Sequence, residues 1–146
     1  ILADNVKDRL AVFSFYIEDL HFNLAVKLLN DRYGIQVRGG CSCAGTYGHY
    51  LLQVTNEKSK SITDLINLGD NSNKPGWIRM SLHPTMTDAE VEYLISAIEQ
   101  LCQHHKEWMQ DYDYNKHKNE FYHKSGINVE DSIIKDWFTI SELEIA

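Results

Sequence analysis

Val37-Arg-Gly-Gly-Cys-Ser-Cys-Ala-Gly-Thr-Tyr-Gly48 places four glycines, two cysteines and an arginine within twelve residues. Glycine at this density marks backbone that turns sharply or lets a neighbour approach closely. A thiol on such a loop is displayed. Arg38 beside it favours the thiolate, the form that attacks electrophiles and binds metals. The alternative is a tight turn whose two cysteines pack as small hydrophobes, the commoner role of free cysteine.

Toward the N-terminus, residues 35–38 form a short predicted strand, with Ile35 and Val37 on one face and Gln36 and Arg38 on the other. Gly34 before it ends a helix as a left-handed cap. That helix buries Leu24, Ala25, Leu28 and Leu29 and starts near Asp19 or His21, of which Asp19 is the better cap. Residues 10–18 are rich in β-branched and aromatic side chains, with Ala11, Phe13, Phe15 and Ile17 alternating against Val12, Ser14 and Tyr16. Apolar groups on both faces predict an interior strand. Residues 1–9 are polar and linker-like.

Toward the C-terminus, His49, Tyr50, Leu51 and Leu52 are expected to open a helix, and residues 56–61 to form a loop. Ile62, Leu65, Ile66 and Leu68 predict a short helix stopped by Gly69. A strand follows at residues 77–82, with Ile78, Met80 and Leu82 on one face and Trp77, Arg79 and Ser81 on the other. Thr87-Asp-Ala-Glu90 is a capping box. Behind it Val91, Leu94, Ile95, Ile98, Leu101 and Cys102 recur at helical spacing, which predicts a long helix with Cys102 in the core, continuing through His104, His105 and Trp108. Residues 111–125 are mixed, polar and aromatic. A short helix is expected near residues 132–138, and then an acidic tail.

This order predicts an α+β domain, a small antiparallel or mixed sheet with helices on one face. The other sheet face would carry Gln36, Arg38, Trp77, Arg79 and Ser81, a surface suited to an anion or another domain, or else simply solvated. With 146 residues the chain holds one domain with a substantial core. A net charge of −7 without a basic stripe makes nucleic acid an unexpected partner. No apolar run reaches membrane-spanning length and no signal peptide is visible. Three cysteines without a disulfide framework fit a reducing, cytoplasmic setting. The first residue is Ile1 rather than Met, so the chain is expected to be part of a longer protein.

Val-Arg-Gly-Gly-Cys-Ser-Cys-Ala at residues 37–44, Arg79-Met-Ser-Leu82, and Thr87-Asp-Ala-Glu90-Val91 at the head of the long helix together resemble the C-terminal small domain of class V aminotransferase-fold enzymes. The nearest branch is the cysteine desulfurases and selenocysteine lyases, and the resemblance covers residues 10–101. It implies the small domain of a fold-type I pyridoxal-phosphate enzyme over residues 1–110, followed by a helical or irregular extension over residues 111–146. It implies that Cys43 is the cysteine that takes sulfur or selenium from the substrate, that Arg79 grips the substrate carboxylate, and that Arg38 closes the strand leading into the loop. Pyridoxal phosphate would be held by a lysine in a large domain absent from this chain, so the chain alone would be inactive. That large domain, an amino-acid substrate, a persulfide acceptor protein and a second subunit are the implied partners.

The chain departs from the family pattern in three places. Cys41 and Ser42 stand where relatives often carry two histidines, residues 49–74 are longer than the usual link, and residues 111–146 have no counterpart. Three other readings compete with the desulfurase. One is a metal site from Cys41 and Cys43 with His49 or His83. Another is a non-catalytic interaction domain. The third is an aminotransferase, epimerase or lyase of the same fold without desulfurase chemistry.

Overall fold

The computed structural model describes residues 1–41 and 45–126. Its centre is β3 (Trp77–Ser81), flanked by β1 (Val12–Phe15) and β2 (Arg38–Gly40) in an antiparallel sheet of order β1-β3-β2. Phe13 pairs with Met80 and Phe15 with Ile78, so these side chains share one face. β1 is thus an edge strand, not the interior strand its apolar pattern predicts. The N-terminal segment covers its outer side, where the Leu2 N–H donates to the Ser14 carbonyl at 2.8 Å.

Helix α1 (Phe22–Tyr33) packs on the Ile78 and Met80 face through Leu24, Ala25, Leu28 and Leu29. Each of these leucines contributes roughly 1.5–3 kcal/mol when fully buried. Gly34 ends the helix at φ 65°, as its position predicts. The N-cap is His21, not Asp19: its Nδ1 accepts the Asn23 N–H at 3.1 Å. The chain turns earlier, with Asp19 at φ 60°, so His21 is the residue next to the first helical turn. The Asp19 carboxylate instead meets Lys106 at 3.4 Å.

Helix α4 (Asp88–Trp108) starts with the predicted capping box, the Thr87 N–H donating to Glu90 at 2.8 Å and the Glu90 N–H to Thr87 at 3.3 Å. Its inward stripe is rotated from the expected one. Ala97, Leu101 and His105 are buried, Leu94, Ile98 and Trp108 pack beside them, and Cys102 is exposed rather than in the core. Ala97 lies in the buried cluster that α4 shares with α1, and Ile95 and Cys102 are on the outer side. Between β2 and β3 lie α2 (Gly45–Leu51) and α3 (Asn56–Asn67). α3 begins six residues before Ile62 because Thr55, just ahead of the segment expected to be a loop, caps it by accepting the Lys58 N–H at 3.3 Å.

Beyond residue 110, a helical or irregular extension is the expectation. Here the described residues form a hairpin, β4 (Tyr112–Asn115) and β5 (Glu120–His123), reached by a 3₁₀ turn over Met109–Asp111. Tyr112 and Tyr114 alternate toward the core side, and Asn115 caps the turn by accepting the N–H groups of His117 and Lys118 at 3.1 Å each. The hairpin lies along α1. Tyr112 donates to Asp31 at 2.8 Å at one end, and Asn23 donates to the Asn119 carbonyl at 2.5 Å at the other. The helix expected at 132–138 falls outside the described residues. Among the described residues no helix is long and apolar enough to cross a membrane.

Candidate functional site

β2 and β3 meet with Arg38 directly opposite Arg79, Gly39 opposite Ile78 and Gly40 opposite Trp77. Opposed residues of an antiparallel pair share a face, with Cβ atoms about 4.5–5.5 Å apart. Arg38 and Arg79 therefore stand side by side on the sheet face away from α1 and α4, as the strand alternation predicts. Both are exposed, and neither has an ion-pair partner among the described residues. Ser14 of β1 faces Arg79 from the other side. Two adjacent guanidiniums without a carboxylate suit an anion that accepts paired N–H bonds.

That face is not bare along its whole length. Trp77, expected to be exposed on it, is buried because α2 lies over its ring. A Cβ on Gly48 would sit 3.0 Å from the Trp77 ring, so a side chain there would press on the ring. Gln36 precedes β2 and borders an open groove with Asn23, Lys27 and Asn30 of α1. Gly39 has the opposite neighbour: a Cβ there would lie 3.0 Å from both Phe22 and Val26, so the first turns of α1 rest on the strand that carries Arg38.

The cysteine loop begins where β2 ends, with Gly40 at φ 113°. Cys41 is half-buried, and its Sγ donates to the Pro75 carbonyl at 2.7 Å. Burial pushes this thiol up from its ordinary value, and the Lys74 ammonium only partly opposes the effect. Cys41 is thus a held thiol rather than a ready thiolate, and the cation that acts on it is Lys74. Cys43, the sulfur-accepting residue implied by the resemblance, lies outside the described residues. His49 is engaged with Ser59 at 3.5 Å and His83 with Thr85 at 2.7 Å, and among the described residues no three His, Cys, Asp or Glu side chains converge for a metal. Sequence reasoning missed Pro75 and Lys74 as neighbours of Cys41. The adjoining Pro75-Gly76 ahead of a strand marks the turn but not what it faces.

Pyridoxal phosphate would be held by a lysine whose amine is kept reactive by desolvation or a neighbouring cation. Every lysine among the described residues is exposed except Lys27, which is half-buried and paired with Asp31 at 3.1 Å. These residues by themselves do not fit that cofactor. The aminotransferase class-V family model matches residues 1–94, every element from β1 into the first turns of α4. No curated protein and no solved structure matches the chain.

Proposed function

Because this chain belongs to the class-V aminotransferase family, a pyridoxal-phosphate-dependent family, we propose that it is the cysteine-bearing small domain of a desulfurase-type enzyme. The observation that carries this reading is the Arg38–Arg79 pair, two exposed cations opposed across β2 and β3 beside the cysteine loop. Arg79 grips the substrate carboxylate through paired hydrogen bonds, and Arg38 reinforces the positive face. Cys43, three residues beyond β2, takes the sulfur of cysteine or the selenium of selenocysteine. Cysteine and the Cys43 thiol give alanine and the Cys43 persulfide, a transfer that balances without an outside oxidant. The cofactor and its lysine belong to a large domain that this domain docks against. The enzyme in this reading is a cytoplasmic homodimer that hands its persulfide to an acceptor protein.

The test uses the complete enzyme. Cys43→Ala abolishes alanine release from cysteine and persulfide labelling. Arg79→Lys raises KM for cysteine by roughly tenfold or more, the change that follows when a bidentate charged contact becomes a point contact. Unchanged turnover in Cys43→Ala would instead identify an aminotransferase, epimerase or lyase of the same fold.

A further inference from the structure

The family match ends at residue 94, yet the β4–β5 hairpin beyond it touches two segments, one leading to the Pro75 carbonyl that holds Cys41 and one packed on β2. One contact runs through the connection between α3 and β3. Asn71 donates to the Lys116 carbonyl from its backbone N–H and from Nδ2, at 3.0 Å each, and from Nδ2 also to the His117 carbonyl at 3.2 Å. Lys116 meets Asp70 at 3.5 Å. Gly69 lies so close to the His117 ring that a Cβ there would fall 2.7 Å from it. The Asn71 carbonyl in turn accepts the Lys74 N–H at 3.0 Å, and the carbonyl of Pro75, the residue after Lys74, holds the Cys41 thiol.

The other contact runs through the start of α1. Asn23 is tied to Asn119, while the His21 ring sits against Tyr114 and Phe121 and stacks on Phe22 at 4.4 Å. Phe22 then presses on Gly39 and Gly76, the glycines at the junction of β2 and β3. A Cβ on Gly76 would lie 2.6 Å from its ring.

The geometry points to the hairpin as a brace that positions Cys41 through these two arms, with Asn71 as the positioning residue of the first. The brace acts by denying the 69–75 connection the freedom to swing Pro75 away from Cys41. Its bearing on sulfur transfer rests on the reading of Cys43 above, whereas its bearing on Cys41 does not.

The test alkylates the complete enzyme with iodoacetamide and follows Cys41 by peptide mass mapping, with exposed Cys102 on α4 as the internal reference. Asn71→Ala raises the Cys41 rate relative to Cys102 by about tenfold, the change that losing one or two net hydrogen bonds makes in a local opening equilibrium. Asn23→Ala applies the same test through the second arm if the first variant does not fold. Tyr93→Phe, which removes a 2.9 Å bond to the Tyr33 carbonyl far from the hairpin tip, leaves the ratio unchanged. An unmoved Cys41 rate in the folded arm variant, or an equal rise in Tyr93→Phe, overturns the brace. The readout needs no turnover, so its failure is distinct from failure of the desulfurase reading.

Discussion

Arg38 and Arg79 face each other across two strands with no carboxylate between them among the described residues, and this arrangement works against stability. Like charges directly opposite on a sheet repel, so Arg38→Gln is expected to raise stability by roughly 0.2–1 kcal/mol. The gain reads as a higher urea midpoint at unchanged slope, and it shrinks in high salt. A lowered midpoint would mean that the pair is already neutralised in solution. His21 gives a second test at this scale. Burial holds its pKa below the usual 6.5, so the unfolded chain takes up the proton first. The neutral ring's contribution is therefore complete above that usual value and is lost as pH falls below it. Protonation also occupies Nδ1, which can then no longer cap the Asn23 N–H. His21→Asn keeps a capping acceptor without the titration. It is expected to flatten the drop in thermal midpoint between about pH 7.5 and about pH 5.5, and an equal drop in both proteins would place the acid sensitivity elsewhere.

At the scale of elements, close packing is set by where side chains are missing. A Cβ on Gly76 would overlap the Phe22 ring at 2.6 Å, whereas one on Gly45 at the head of α2 meets nothing within 4 Å. Gly76→Ala is accordingly expected to cost about 1–3 kcal/mol from overpacking, while Gly45→Ala is neutral or slightly stabilising. Chemical denaturation of the two variants checks the contrast, and equal effects would show that Phe22 yields. Local chemistry was legible wherever one residue decides the outcome: Gly34 as a left-handed cap, Thr87 with Glu90 as a capping box, and the α1 stripe. It was not legible where tertiary contacts decide. The α4 stripe turned because Ala97 and His105 join Leu101 on the buried side, and apolar spacing alone does not weigh a small residue or a histidine as core. The hairpin was hidden because Tyr112, Tyr114 and Phe121 alternate over strands only four residues long, among lysines and histidines.

For the molecule as a whole, the Arg38–Arg79 juxtaposition followed from strand alternation, because the register across β2 and β3 preserves it. The clasp between the hairpin tip and Asn71 spans 45 residues and leaves no local pattern to read. These long-range ties decide how the fold opens. α1, β3 and α4 share one buried cluster that includes Tyr112 of the hairpin, whereas α3 buries only Ile62 and α2 only Gly48. Segments with few buried apolar contacts open at lower free energy than the core. Native-state hydrogen exchange is therefore expected to release the amides of α2 and α3 first, and to hold those of β4 and β5 with α1. The hairpin would then belong to the same cooperative unit as the family-matched sheet, although it lies beyond residue 94. Removing the Tyr112–Asp31 bond by Tyr112→Phe costs about 1.5–3 kcal/mol if that unit is intact, as for a hydrogen bond to a charged partner. It should then speed exchange in β4, β5 and α1 together. Exchange that quickens in the hairpin alone, with α1 unmoved, would make the hairpin a separate flap, and Asn71 would then be tied to an element too loose to brace anything.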